Sequence, residues 1–383
     1  MSDSPTSQYF PSQRSLETHE AEIHQRKRDH ISLCHTGDVS IEGDAGLWAQ
    51  LRLVHCALPE IKLSELDLSA SLLGRELPVP VMATGMTGGP PEAGEINRSV
   101  ARVCERFGLP FGVGSQRVIT KDPSSLETFQ VRRAAPDLFL IANLGVNQLR
   151  DLGTERAREL VRSIEADALA VHLNPAMEVV QPGQEADSDF SGGYEAIARV
   201  VEALDGQVIV KECGCGLSPE VVKRLYAVGV QAVDLSGVGG TSWVKLEALR
   251  AEGSQAALGM SLADWGIPTA AATLMAHEAR AQLGAESSLK LVASGGIQSP
   301  LQAVKALALG ADLVGVARPL LQALLNGGEE GAERYVEALI HGIRQITMLT
   351  GARAVRELHS MPRVVGAELE AWRAITRAEG SAR

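Results

Sequence analysis

No uninterrupted apolar run in this 383-residue chain approaches the roughly 20 residues a helix needs to cross a bilayer, so no transmembrane helix is predicted. The first residues, MSDSPTSQYFPSQRS, lack the charged-then-apolar order of a signal peptide, and the expectation is a cytoplasmic protein without a membrane partner. An excess of positive charge is also missing. Lys and Arg number 36 against 47 Asp and Glu, and the net charge of -11 argues against nonspecific nucleic-acid binding. An anionic ligand must therefore be drawn by a local basic cluster or by a metal. Cysteines are few and odd in number, five in all, which argues against a disulfide framework and for reduced thiols. Cys213 and Cys215 have no second pair or Cys/His cluster at finger-like spacing, and read as small residues in a Gly-rich strand-to-helix turn.

What is present is a repeat. Short apolar runs alternate with helix-like stretches: Val79 to Thr84, Pro110 to Ser115, Leu138 to Asn143, Ala168 to His172, Val208 to Lys211, Ala232 to Ser236, Leu289 to Ser294 and Leu313 to Ala317. Eight near-continuous apolar strands, each followed by a helix, predict an α/β fold of the (β/α)8 TIM-barrel kind, since an open doubly wound sheet more often has five or six. The hydrophobic share of 45% supplies a core, and the length allows one domain with an amino-terminal extension. Residues 1–25 read as a mobile polar arm and 26–383 as the barrel domain, with a small hairpin at Leu63 to Leu77 outside the repeat. The interval between strands six and seven, with Trp265-Gly266-Ile267-Pro268-Thr269, is long enough for more than one helix, and Pro268 suits a first helical turn.

Barrel chemistry sits at the carboxyl ends of the strands. Those ends read Met86-Thr87-Gly88-Gly89, Ser115-Gln116-Arg117, Asn143, His172 with Asn174, Lys211-Glu212, Ser236 with Gly239-Gly240-Thr241, Ser294-Gly295-Gly296 and Ala317-Arg318. A single polar end is more often a solvated loop, but eight that converge on one mouth make a site. The last two, separated by the helix-like stretch Ser299 to Leu309, are the parts such barrels use to grip a phosphate.

The motifs Arg26-Lys27-Arg28-Asp29-His30, Met86-Thr87-Gly88-Gly89, Val113-Gly114-Ser115-Gln116, Ala142-Asn143-Leu144-Gly145, His172-Leu173-Asn174, Val210-Lys211-Glu212, Gly239-Gly240-Thr241 and Ala293-Ser294-Gly295-Gly296 resemble, in order, the type 2 isopentenyl-diphosphate isomerases. The resemblance runs from about residue 23 past Gly351-Ala352-Arg353. It implies an FMN barrel that interconverts isopentenyl and dimethylallyl diphosphate, with Mg2+ on the diphosphate and NADPH maintaining a reduced flavin that acts as an acid-base group. It also implies a homo-oligomer, a tetramer or octamer. By the same resemblance, Gly85, Met86, Thr87, Ser115, Asn143, Lys211, Ser236, Thr241, Gly295, Gly296, Ala317 and Arg318 correspond to flavin-binding positions. Arg26, Lys27, Ser115, Arg117 and His172 correspond to substrate contacts, Glu178 to the metal ligand, and Lys211 and His172 to catalytic positions.

Elementary chemistry supports several of these roles. Lys211 ends a buried strand, where a cation stabilises the negative charge of a reduced flavin. Arg26 and Lys27 lie on a basic stretch able to fold over a diphosphate; a basic run covering a solvated helix face is the plainer reading. Glu178 suits Mg2+, which takes one or two carboxylates beside phosphate oxygens, with Asp187 and Asp189 as neighbouring candidates.

One position departs from the family pattern. Met177 stands where relatives carry a glutamine, so an amide facing the reacting alkene is lost. Gln184, in a loop about two residues longer than usual, is one candidate to replace it, while Gln181 matches a common family glutamine. Two other readings stay open. One is an FMN-dependent oxidoreductase of a small acid, which needs a base at a late strand end where this chain has Ser294-Gly295-Gly296. The other is a catalytically impaired flavin-binding relative.

Overall fold

The computed structural model describes residues 25–35, 39–41, 43–181, 188–284 and 287–381. The expected arm, residues 1–25, lies outside the described residues except for residue 25, which opens a helix over 25–35.

Eight parallel strands close into a barrel: β1 (Val81–Ala83), β2 (Phe111–Gly112), β3 (Leu140–Gly145), β4 (Ala168–Leu173), β5 (Val208–Glu212), β6 (Ala232–Asp234), β7 (Lys290–Ala293) and β8 (Leu313–Val316). Each strand pairs with the next, and β8 returns to β1 with Val314 opposite Val81 and Val316 opposite Ala83. Every strand lies inside a run expected from the sequence except where β3, β4 and β5 continue one or two residues further.

Both faces of these strands are buried, which is why they read as continuous apolar runs. Side chains such as Leu140, Val171, Val210 and Val316 pack outward against the helices, while Met82, Ile141, Ile209, Val292 and Leu313 fill the barrel. The hairpin narrows to Ala70–Leu72 and Arg75–Leu77, and its Leu72, Leu73 and Leu77 join the interior cluster. It is a plug for one end of the barrel, so all access is left to the other.

The helices after β1, β5 and β7 open on Pro91, Pro219 and Pro300, where the missing N–H removes no helical bond. Ser299 and Gln302 form a reciprocal capping box on the last of these. Among the described residues between β6 and β7 lie three helices, Trp243–Arg250, Gly253–Ser261 and Thr269–Gln282. Pro268 is the residue before the third, in extended geometry, and so caps that helix instead of entering its first turn. Among the described residues, no helix is long and apolar enough to cross a membrane.

Candidate active site

Two joined cavities of about 400 and 150 Å3 open at the carboxyl ends of the strands. They share Lys27, His30, Gly85, Met86, Lys211 and Trp243 as a common wall. Gly85, Met86, Thr87, Lys211, Ser236, Thr241, Gly295, Gly296, Ala317 and Arg318 line the larger chamber. Arg26, Lys27, Ser115, Arg117, Asn143, His172, Met177 and Glu178 line the smaller. Ser115 and Asn143, expected at the flavin, thus face the smaller chamber.

The larger chamber owes its shape to backbone. Gly295 and Gly296 take φ of +98° and +78°, a region L side chains avoid. A Cβ on Gly295 would collide with the Gly237 carbonyl, and one on Gly296 with the Gly239 carbonyl. These glycines let the loops after β6 and β7 lie backbone against backbone, a requirement separate from close approach to an anion. Ser236 is also left-handed, at φ +41°, and its carbonyl accepts N–H bonds from Gly214 at 2.9 Å and Gly216 at 3.1 Å. Strain at that residue ties the β5 loop to the β6 loop. At the β8 end, Arg318 Nη1 and the Tyr335 hydroxyl are buried with no hydrogen-bond partner among the described residues. Both line this chamber. Unpaired buried donors beside a glycine cradle fit a phosphate-bearing cofactor.

Lys211 stands on the common wall, 9% exposed. Its Nζ donates to the Glu212 carbonyl and lies 3.8 Å from Cys213 Sγ. Burial opposes its charge, but Cys213, Asp234 and Glu212 outweigh that and hold its pKa above the ordinary lysine value. Beneath it, Asp234 accepts from Thr84 Oγ1 at 2.7 Å and from Ser294 Oγ. Glu212 turns away from the chambers. Its carboxylate accepts N–H bonds from Cys215 and Gly216, and burial raises its pKa to about 7 against those bonds and Lys211. The Cys213 to Gly216 segment is therefore a Glu-tied turn, as the plainer reading of its cysteines required. No cluster of three metal-ligating side chains occurs among the described residues.

The smaller chamber is built from side chains. Asn143 Nδ2 donates to the Val113 carbonyl at 3.0 Å, which directs Oδ1 toward His172 Nδ1 at 2.8 Å. His172 thus carries its proton on Nδ1 and leaves Nε2 bare. Burial, then Lys211, Lys27, Arg117 and Arg26, press its pKa down to about 3, so the ring is neutral. Glu178 closes the short helix Pro175–Glu178 and is buried, with Asn174 Nδ2 donating to it at 2.7 Å. One carboxylate in a polar chamber fits a hard cation that completes its shell with phosphate oxygens. Asp189 is committed to Ser191 and Arg150, and Asp187 and Gln184 lie outside the described residues.

The basic stretch differs most from expectation. Arg26 and Lys27 sit in the helix over 25–35, and Arg26 is anchored in place of ranging freely. Its Nη2 donates to Glu247 at 2.9 Å and to Gln181 Oε1 at 3.1 Å. Glu247 is fully buried; burial would raise its pKa, yet His30, Arg26 and Arg250 hold it down to about 2. An ionised carboxylate inside the protein needs such partners, and that need pins the helix over the mouth. Sequence reasoning missed Glu247, His30 as an actor separate from its motif, Trp243, Tyr335 and Gln148, which lines the smaller chamber. Gln181 is occupied by Arg26, so it does not stand in for the amide absent at Met177.

Residues 156–363 match the family described as FMN-dependent dehydrogenase. The chain is similar to isopentenyl-diphosphate delta-isomerases of Pyrococcus abyssi (39% identical, covering 91% of this chain and 94% of that one), Methanothermobacter thermautotrophicus (40%, 91% and 95%) and Nostoc sp. (39%, 86% and 93%). Among solved structures it resembles a flavocytochrome b2 mutant with benzoylformate at TM-score 0.62 and 19% identity, covering 90% of this chain and 84% of that one. A mandelate oxidase variant with 2-hydroxy-phenylacetamide matches at 0.59 and 18%, covering 94% and 100%. These last two share the fold. The extent and identity of the first three place the chain in the isopentenyl-diphosphate delta-isomerase family.

Proposed function

We propose that this protein interconverts isopentenyl and dimethylallyl diphosphate, with FMN in the larger chamber and the diphosphate in the smaller. The observation that carries this is Lys211, a buried cation on the wall between a phosphate-fitting chamber and a cation-rich one. When bound, FMN kept reduced by NADPH would supply acid-base chemistry without net redox change. Lys211 would place positive charge in the wall of that chamber, and against the penalty of burial Cys213, Asp234 and Glu212 keep the ammonium protonated. Arg26, Lys27 and Arg117 offer positive charge to the diphosphate, and Glu178, oriented by Asn174, would hold Mg2+, which would supply charge neutralisation for the diphosphate. His172, neutral and surrounded by cations, is a poor proton acceptor, and with Nε2 unprotonated it gives no hydrogen bond to a phosphate oxygen, so its role is to shape the wall against which the substrate lies. The helix over 25–35 excludes water from both chambers.

The same reading makes the protein a cytoplasmic homo-oligomer, a tetramer or octamer, and the exposed Leu258, Met260 and Trp265 between β6 and β7 supply apolar surface for contact between copies. Anaerobic incubation of isopentenyl diphosphate with protein, FMN, Mg2+ and NADPH should yield dimethylallyl diphosphate over many turnovers. No product from protein that demonstrably holds reduced flavin sinks the proposal. The small-acid oxidoreductase reading lacks a base at the end of β7, where Ser294 is bonded to Asp234. Stoichiometric flavin bleaching by a hydroxy acid would restore it. Retained flavin and diphosphate affinity without turnover, even in Met177→Gln, marks an impaired relative.

A further inference from the structure

We infer that the Tyr335 hydroxyl, acting with an Arg318 guanidinium held by Ser40, recognises the phosphate monoester of the flavin and makes the larger chamber select FMN over riboflavin. This rests on the proposed flavin site and adds two residues to it.

Arg318 opens the helix Arg318–Leu349, whose residue before the start, Ala317, gives no side-chain cap. One arm of its guanidinium is fixed: Nη2 donates to Ser40 Oγ at 2.6 Å. Ser40 is itself held, since it forms a β-bridge with Thr241 and its carbonyl accepts from Lys245 Nζ at 3.3 Å. The other arm, Nη1, is buried in the chamber wall without a partner among the described residues. Tyr335 lies further along the same helix, beyond the break at Gly327 and Gly328 that redirects the chain. Its hydroxyl is likewise buried and unpartnered.

Burial pushes the tyrosine up to about 12, so it is an O–H donor at any working pH. Two buried donors in one chamber without a protein partner each carry a desolvation penalty that a ligand acceptor removes. Neutral acceptors do not suit a site that also holds the positive end of a helix. Among the described residues no carboxylate lines this chamber, whereas Lys27, Lys211 and Arg318 do, so the counter-charge must arrive with the ligand. A phosphate monoester supplies the charge and enough oxygens for Arg318, Tyr335 and the helix N–H groups together.

The test uses the full chain stripped of flavin and titrated with FMN and with riboflavin, followed by flavin fluorescence. Wild type should bind FMN far more tightly than riboflavin. Tyr335→Phe should weaken FMN by roughly tenfold and leave riboflavin unchanged, as loss of one hydrogen bond to a charged group implies. Ser40→Ala should weaken FMN several-fold with riboflavin again unmoved, and Ser40→Thr, which restores the hydroxyl, should recover it. A tyrosine that is merely packed gives equal losses for both flavins, or none, and that result overturns the inference while leaving FMN binding intact. Wild type that binds neither flavin overturns the flavin site itself.

Discussion

Around the larger chamber, the loops after β6 and β7 meet backbone against backbone at Gly237, Gly239, Gly295 and Gly296, and the Thr269 hydroxyl ties them through the Val238 and Gly295 carbonyls. Around the smaller one, the wall is a set of charged and polar side chains whose partners come from other parts of the chain: Arg26 reaches Glu247 across 221 residues, and the neutral His172 leans on Asn143. The first chamber is rigid because its geometry is covalent and steric. The second is held by electrostatics, which responds to pH, to substitution and to the ligand. A cofactor that stays bound suits the former, and a substrate that must enter and leave suits the latter.

The most severe break of that contrast is a methyl group in the backbone wall. Gly296→Ala places a Cβ against the Gly239 carbonyl at a φ of +78°, and should destabilise the protein by about 3 kcal/mol and empty it of flavin. Thermal unfolding and flavin content report both. A flavin-loaded variant with the wild-type unfolding temperature would show that the wall yields and is not steric.

Lys211→Met tests the shared wall from the other side. Removing a preorganised charge from a buried site typically lowers kcat by about 10²- to 10³-fold, and we expect that loss with flavin content near normal. Loss of flavin with little change in kcat per bound flavin would assign Lys211 to binding instead.

Stability against pH separates the chambers again. His172 and His30 are held at about 3 and about 4, chiefly by burial, so on acidification from their ordinary 6.5 the unfolded chain takes up protons that the folded chain refuses. Both contributions are therefore lost as pH falls. Glu212, raised by burial to about 7, acts oppositely: its protonated form favours the folded state, and that advantage is lost as pH rises from about 4.5 to 7. Of these three groups the two histidines outweigh the carboxyl, so their sum between pH 6.5 and 4.5 is a loss of about 2 kcal/mol, and His277, lowered to about 4 chiefly by burial, changes stability in the same direction. Glu247 adds its own loss only below about 4.5. Denaturant titrations across this range should show the slope, and His172→Gln should remove roughly half of the part due to His172 and His30. A slope unchanged in that variant would place the acid sensitivity outside the smaller chamber.

The contrast also explains what could be read in advance. The barrel was legible because its strands are buried on both faces and so read as eight continuous apolar runs, a local signal. The residues at the strand ends were legible because the fold fixes where strands end. Glu247 was not, since nothing in a helical segment beginning Trp243-Val244-Lys245 announces a buried carboxylate; only the docked helix with Arg26 and His30 makes it one. Tyr335 was hidden for a similar reason, as it returns to the mouth through the break at Gly327 and Gly328.

The smallest expected effect concerns Met177, which lines the smaller chamber at the position where the sequence resemblance implies a glutamine. Its sulfur lies 3.8 Å from Asn174 Nδ2, and that amide also bonds Glu178. Asn174 and Gln148 both line the chamber, so amide groups remain in the wall of the proposed substrate site even with methionine at 177. Met177→Gln should therefore change kcat/KM by less than about tenfold, well below the effect of losing a sole transition-state contact. Because the new amide competes for Asn174, any gain should appear in kcat, while the Mg2+ dependence shifts if Glu178 is released. A gain of a hundredfold or more would show that the site is damaged at this position and that the neighbouring amides do not serve the alkene.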